Sequence, residues 1–133
     1  MRVFLDTNVV VSAVATRGLC ADLFQAILAE HELVLGESVL EELRSVLSRK
    51  LKVPRATIDE LEAHLRMRAV VTAVKEAKPI RGLDAADAAV MAEALASGAD
   101  VLVSGDQDLL KLVKPSVKVV SPRGLWDQLR RAT

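Results

Sequence analysis

The chain lacks the features of a secreted, disulfide-stabilised or membrane-spanning protein. Its 133 residues contain a single cysteine, Cys20, so no internal disulfide can form and no thiolate cluster can bind zinc. No basic leader with an uninterrupted apolar core and a cleavage site opens the sequence. Charged residues, beginning with Asp6 and Arg17, break every apolar stretch well before the roughly 20 residues needed to cross a bilayer. These absences predict a cytoplasmic protein that does not engage a membrane.

Aromatic residues are also scarce, since the chain has only Phe4, Phe24 and Trp126 and no tyrosine. Stacking on unpaired bases could therefore contribute little to nucleic-acid recognition, and contacts to phosphates would have to dominate. Positive charge is concentrated in residues 43–81, which hold ten Lys or Arg against four Asp or Glu, although the net charge of the chain is zero. The candidates for a phosphate-binding groove are Arg44, Arg49, Lys50, Lys52, Arg55, Arg66 and Arg68. Solvated helix faces would give the same pattern, so both interpretations stay open.

Short apolar runs alternate with stretches of helical periodicity along the chain. Strands are predicted at residues 2–5, 32–35, 70–74, 101–103 and 117–120, with helices between them. Nearly continuous apolar strands are typical of a parallel sheet that is covered on both faces. Because 51% of the residues are apolar and no linker or repeat interrupts them, we expect one domain over residues 1–133. The predicted fold is a three-layer α/β/α domain with a central, mostly parallel sheet of four to five strands.

Acidic residues fall where this sheet would bind a ligand, beyond the carboxyl ends of its strands. Asp6 follows the first strand, Asp106 follows the fourth, and Asp87 lies in the first turn of the helix that leads into the fourth strand. Helical spacing places Asp87 on the apolar face of its helix, together with Val90, Met91, Ala94 and Leu95. Simpler roles are open to each residue: Asp6 could cap the next helix, Asp84 and Asp87 could cap theirs, and Asp106 could belong to a turn.

A fourth acid is predicted on the helix that contains residues 38–50. The apolar side chains at positions 39, 40, 43, 46 and 47 define the inner face of this helix. At about 100° per residue, Glu42 lies on the flank of that face, whereas Glu41 points nearly away from it. We therefore expect Glu42 to reach the acidic site and Glu41 to be a solvated surface charge.

Clustered carboxylates repel one another unless some are protonated or a cation lies between them. A set of oxygen ligands favours a hard cation, Mg²⁺ or Mn²⁺, over zinc, and such a site is suited to hydrolysis of a phosphodiester by an activated water. Two alternative functions compete with this one. In a haloacid-dehalogenase-type phosphatase Asp6 would be phosphorylated, but Asn8 stands where a second aspartate is expected. A non-catalytic RNA-binding module is disfavoured because all four acids are present.

Several motifs in order resemble the PIN-domain family, especially its single-domain VapC-type toxins of toxin–antitoxin pairs. These motifs are LDTN after the first strand, the EEL of a following helix, LDAADAAVMAEAL, and GADVLVSGDQDLL. The resemblance implies a PIN-like fold and an endoribonuclease dependent on Mg²⁺ or Mn²⁺, with Asp6, Glu42, Asp87 and Asp106 as catalytic and metal-binding acids.

The same resemblance extends to residues around those acids. Asn8 and Ser104 match polar positions that orient the acids or a water, and Asp84 and Asp108 match additional acids close by. Ser104 replaces the family's usual threonine but keeps the hydroxyl. By resemblance, the partners would be an RNA substrate, a small antitoxin protein and a second copy of the chain in a homodimer.

Overall fold

The structure is a computed structural model that describes residues 1–131. Its elements are β1 (Arg2–Leu5), α1 (Thr7–Ala15), α2 (Leu19–Glu30), β2 (Glu32–Gly36), α3 (Glu37–Arg49), α4 (Arg55–Arg68), β3 (Val70–Thr72), α5 (Ala85–Ala96), β4 (Val101–Val103), α6 (Gln107–Leu110), β5 (Val119–Val120) and α7 (Pro122–Arg131). The strands form one sheet in the order β3-β2-β1-β4-β5, and every neighbouring pair is parallel. The predicted three-layer α/β/α fold is confirmed.

The centre of the sheet is β1, which is hydrogen-bonded to β2 on one side and to β4 on the other. Val3, Phe4 and Leu5 are fully buried. Helices cover both faces of the sheet, so a strand at its centre has no solvent side and needs apolar residues at every position. The uninterrupted apolar runs in the sequence have this physical cause.

Two strands are shorter than their sequence pattern suggests. The third ends at Thr72, and the fifth contains only Val119 and Val120. Val117 remains buried at 5% exposure although it precedes the paired segment. Apolar side chains therefore mark what is buried, whereas hydrogen bonding to a neighbouring strand decides what is a strand.

The strand order reverses between β1 and β4, and this reversal creates the site. From β1 the chain adds β2 and then β3 on one side, and it returns to add β4 and β5 on the other. Ligands of open parallel sheets bind at such a switch point, outside the carboxyl ends of the strands. The register pairs Leu5 with Val103, so Asp6 and Ser104 leave the sheet side by side.

Within residues 1–131 no single helix is long and apolar enough to cross a membrane. The helices α1 and α2 reach the required length and composition only together, and they are bent by 100° at the break between them.

Candidate active site

Asp6 is buried at the end of β1, and three donors satisfy its carboxylate. Its Oδ1 accepts a hydrogen bond from the Thr7 amide at 2.8 Å, and its Oδ2 accepts from the Ser104 hydroxyl at 2.7 Å and from Asn8 Nδ2 at 3.2 Å. Burial raises the pKa of Asp6, while the hydrogen bond from Ser104 opposes that rise. The residue does cap α1, and it also reaches the cavity described below.

Asn8 and Ser104 tie together the two chain segments that leave the sheet here. Asn8 Oδ1 accepts from the Gly105 amide at 3.0 Å, and the Ser104 hydroxyl oxygen accepts from the Asp106 amide at 2.9 Å. Ser104 is fully buried, and its hydroxyl group is hydrogen-bonded both to the Asp6 carboxylate and to the backbone amide of Asp106. Both residues lie where they can orient the acids.

Asp87 lies in the first turn of α5, and the carboxylate of Asp84 caps that helix by accepting from the Asp87 amide at 2.8 Å. The Asp87 side chain is only partly exposed. Its burial, followed by the charges of Asp106, Asp84 and Asp6, raises its pKa to about 7. Neighbouring negative charges are one reason why this carboxyl group keeps its proton near neutral pH. A cation bound beside it would offset those charges.

The carboxylates of Asp87, Asp106 and Asp108 form one close group. Each offers an oxygen, and these three oxygens all lie within 4.8 Å of one another. Asp106 also caps the short helix α6 by accepting from the Asp108 amide at 2.8 Å. All the donors are oxygens, and the pKa of Asp87 is raised by its burial and then by the charge of Asp106, so the group fits a hard divalent cation. Asp108, expected only near the ligands, belongs to this cluster.

The four acids singled out in the sequence line one cavity of about 580 Å³. Asn8, Asp84 and Lys50 line it together with Asp6, Glu42, Asp87 and Asp106. Glu41 instead lines a separate cavity with Glu37, Ser38 and Glu93. The helix α3 thus turns Glu42, and not Glu41, towards the aspartates.

The basic residues of the predicted groove have different surroundings in the structure. Arg44 binds Asp59 at 2.6 Å and Glu62 at 3.1 Å. Arg66 binds Glu62 at 2.9 Å and makes two hydrogen bonds to Glu37, each 2.7 Å long. These ion pairs join α4 to α3.

Only one of the other predicted basic residues lines the acidic cavity, namely Lys50. Arg49 and Arg55 line a different pocket together with Arg44, beside Ile58. Lys52 is exposed in the turn before α4, with a backbone φ of 55°.

Two further features were missed in the sequence. Glu93 is 4% exposed, and its carboxylate accepts hydrogen bonds from the amide and the hydroxyl of Ser38. The available signal was that Glu93 is the only charged residue between Asp87 and Asp100. Arg81 and Lys111 line a cavity of about 440 Å³ that Asp108 also borders. Nothing in the spacing of these two residues indicates that they meet.

The fold is shared with solved structures of low sequence identity. VapBC2 from Rickettsia felis, bound to a DNA fragment from their promoter, aligns with a TM-score of 0.63 and 13% identity over 91% of this chain and 98% of that chain. PAE2754 from Pyrobaculum aerophilum aligns with a TM-score of 0.61 and 21% identity over 98% and 96% of the two chains. FitAcB from Neisseria gonorrhoeae aligns with a TM-score of 0.56 and 17% identity over 91% and 98%.

No protein of curated function matches the chain in sequence. The family model of the PIN domain, however, matches residues 2–108. This span runs from β1 to α6 and contains all the acids of the cavity as well as Asn8 and Ser104. The match confirms the resemblance carried by the strand-end motifs, and the chain belongs to the PIN-domain family.

Proposed function

We propose that this chain is an endoribonuclease dependent on Mg²⁺ or Mn²⁺ and the VapC-type toxin of a toxin–antitoxin pair. PIN domains are generally nucleases, and the proposal narrows that activity to hydrolysis of RNA. The observation that carries it is the convergence of Asp6, Glu42, Asp87 and Asp106 on one cavity. Four separate capping roles would not require these side chains to share a cavity.

The acids differ in their surroundings. Asp6, Glu42, Asp87 and Asp106, which line the cavity, would hold the cation, and an oxygen of Asp108 lies within 4.8 Å of oxygens of Asp87 and Asp106, so it could join them. Asp6 is oriented by Ser104 and Asn8, so its carboxyl group has a defined position beside the same cavity. A divalent cation bound there lowers the pKa of a water and offsets the negative charge that develops on the phosphate.

RNA would reach the acids between positive charges on two sides. Lys50 lines the acidic cavity itself, and Arg81 and Lys111 line the neighbouring cavity beyond Asp108. No ion pair involves Arg81 or Lys111 in the part of the chain that the structure describes. Both remain available to phosphates, and we infer that the strand crosses the acids from Lys50 towards these two residues.

A protein partner is supported by the apolar part of the acidic cavity. Val11, Ala15, Val46 and Leu51 line it beside the acids, and Leu51 is 47% exposed. A phosphate backbone makes no favourable contact with such an apolar surface, whereas an antitoxin segment could bury it and block the acids. The folds of VapBC2 and FitAcB, which this chain shares, are consistent with that role.

We extend the proposal to a single cytoplasmic PIN-like domain over residues 1–133 that forms a homodimer.

The test compares two adjacent glutamates that differ only in where they point. Purified protein is incubated with RNA in Mg²⁺, Mn²⁺ or EDTA, beside Glu42→Gln and its matched control Glu41→Gln. We expect cleavage only with a divalent cation, a loss of about 100-fold or more in Glu42→Gln, and wild-type activity in Glu41→Gln. Cleavage that persists in EDTA, or equal activity of the two variants, would contradict the proposal. An aspartyl-phosphate at Asp6 after treatment with a phosphoryl donor would instead favour the phosphatase.

A further inference from the structure

Glu93 is a buried carboxylate without a role in the acid cluster. It lies on α5, six residues beyond Asp87, and only 4% of its surface is exposed. Burial raises its pKa, and the two hydrogen bonds from Ser38 oppose that rise. A carboxylate is costly to bury, so it persists in a core position only where specific donors satisfy it.

Its partner is the first turn of α3. The backbone N–H of Ser38 donates to Glu93 Oε2 at 3.0 Å, and the Ser38 hydroxyl donates to Oε1. The residue that precedes α3 is Gly36, which has no side chain to cap the helix. Glu93 therefore supplies, from a different helix, the acceptor that the exposed amides at the start of α3 need, and its negative charge suits the helix dipole.

The backbone at Gly36 is shaped around this contact. A Cβ at that position would lie 2.1 Å from Glu93 Oε1 and 3.0 Å from Phe4 Cζ. Any side chain there would push the carboxylate away from Ser38. Because the φ of Gly36 is −96°, which other residues adopt readily, the need for glycine comes from this close approach and not from backbone strain.

The two helices that Glu93 joins each carry an acid of the candidate active site. Glu42 follows Ser38 by four residues, so it lies on the same side of α3, one turn further along. Asp87 lies in the first turn of α5. The separation of Glu42 from the aspartates depends on how α3 sits against α5, and the Glu93–Ser38 contact fixes the start of α3.

We propose that Glu93 is a positioning residue that holds α3 against α5 and so places Glu42 opposite Asp87, a role that rests on the proposed nuclease function. It does not face the cavity that the acids line. Its influence passes through Ser38 and the first turn of α3.

The variants separate positioning from simple loss of stability. Glu93→Ala removes the acceptor, and Gly36→Ala displaces it without altering either hydrogen-bonding group. Glu93→Gln keeps the size and one acceptor oxygen, so it should rescue the contact. Leu125→Ala, at a fully buried position in α7, a helix that packs on α2, serves as the control for destabilisation. All proteins are assayed well below their melting temperatures.

Two measurements are made on each variant: the affinity for Mn²⁺ without RNA, by calorimetry, and the kcat and KM of RNA cleavage. We expect Glu93→Ala and Gly36→Ala to weaken Mn²⁺ binding and lower kcat by about tenfold with little change in KM. Glu93→Gln should stay within about threefold of wild type, and Leu125→Ala should change neither quantity. Adding Glu42→Gln to Glu93→Ala should cost less than the product of the two single losses, because both changes act through Glu42.

Wild-type Mn²⁺ affinity and kcat in Glu93→Ala, or losses that simply multiply with those of Glu42→Gln, would overturn the positioning role. If Glu93→Ala does not fold, Gly36→Ala and Ser38→Ala carry the same comparison. Failure of the proposed function looks different: the wild type would bind Mn²⁺ and not cleave RNA. The Mn²⁺ affinities of the variants would then still decide whether Glu93 positions the acids.

Discussion

At the scale of single residues, Asp6 and Asp87 illustrate two ways to keep a carboxylate in a partly apolar place. Three donors surround Asp6 and oppose the rise in its pKa that burial causes. Asp87 instead faces other carboxylates, and its pKa of about 7 reflects burial and their repulsion. The carboxylate of Asp6 receives its hydrogen bonds from the protein, whereas the negative charge of Asp87 is neutralised only by a proton or a cation.

This difference predicts an unusual dependence of stability on pH. The pKa of Asp87 rises from 3.8 in the unfolded chain to about 7 in the folded one, so between these values the folded state holds the extra proton. The contribution of Asp87 to stability is therefore greatest below about pH 4 and is lost as the pH rises through 7. Melting temperatures of the metal-free protein, measured between pH 5 and pH 8, should show this fall.

Asp87→Asn should remove that dependence. The metal-free variant should melt roughly 2–5 °C above wild type at pH 8, because the repulsion among the acids is relieved. It should also lose most of the stabilisation that Mn²⁺ gives the wild type. Glu60→Gln, which removes an exposed carboxylate on α4, is the control and should behave as wild type in both respects. A lower melting temperature for Asp87→Asn would indicate that the carboxylate is needed as a structural group.

At the scale of elements, the strands could be predicted well because each is flanked by helices and is rich in apolar residues. The register of β1 with β4 then follows from parallel pairing and brings Asp6 next to Ser104. The rotation of α5 was harder to predict. Leu95, expected on the inner face, is 55% exposed, while Glu93 and Ser97 are buried. A hydrophobicity pattern assigns a glutamate to solvent, and only the Ser38 donors on another helix make its burial possible.

The pairing of the charges in the predicted basic groove could not be read from the sequence, for a related reason. The sequence shows the charges in residues 43–81, but the contact between α3 and α4 decides which of them are used within the protein. Apart from the Arg66–Glu62 pair within α4, Arg44 and Arg66 meet carboxylates that lie 15 to 29 residues away along the chain. Pairings over such distances depend on how two helices pack, and composition carries no information about that.

Ser104 offers a prediction at this scale because its hydroxyl joins β1 to β4. Ser104→Ala removes the donor to Asp6 and the acceptor for the Asp106 amide, both in a fully buried position. We expect a loss of about 1–3 kcal/mol in the free energy of unfolding, measured with urea, and a further rise in the pKa of Asp6. Ser116→Ala, at an exposed position, should leave stability unchanged. Equal stability of the two variants would mean that the hydroxyl does not join the strands.

At the scale of the whole molecule, charge is sorted although its sum is zero. The acids lie where the strand order reverses. Part of the positive charge forms ion pairs between α3 and α4. Lys50, Arg81 and Lys111 border the acidic region on two sides. Repulsion by the acids would keep RNA away unless these positive charges and a cation compensated for it. Binding of RNA should therefore depend on both salt and divalent metal.

The role of the flanking charges in RNA binding can be tested by measuring how the affinity for RNA depends on salt. The measurement uses an Asp87→Asn background, which prevents cleavage. Removing one phosphate-binding side chain should reduce the slope of log affinity against log salt by about 0.7 for a single strand. We expect this reduction for Lys111→Ala and for Arg81→Ala, and a sum of the two in the double variant. Lys118→Ala, an exposed lysine next to β5, removes the same charge elsewhere and should leave the slope unchanged. If Lys118→Ala and Lys111→Ala change the slope equally, the effect belongs to net charge, and the proposed path past Asp108 is wrong.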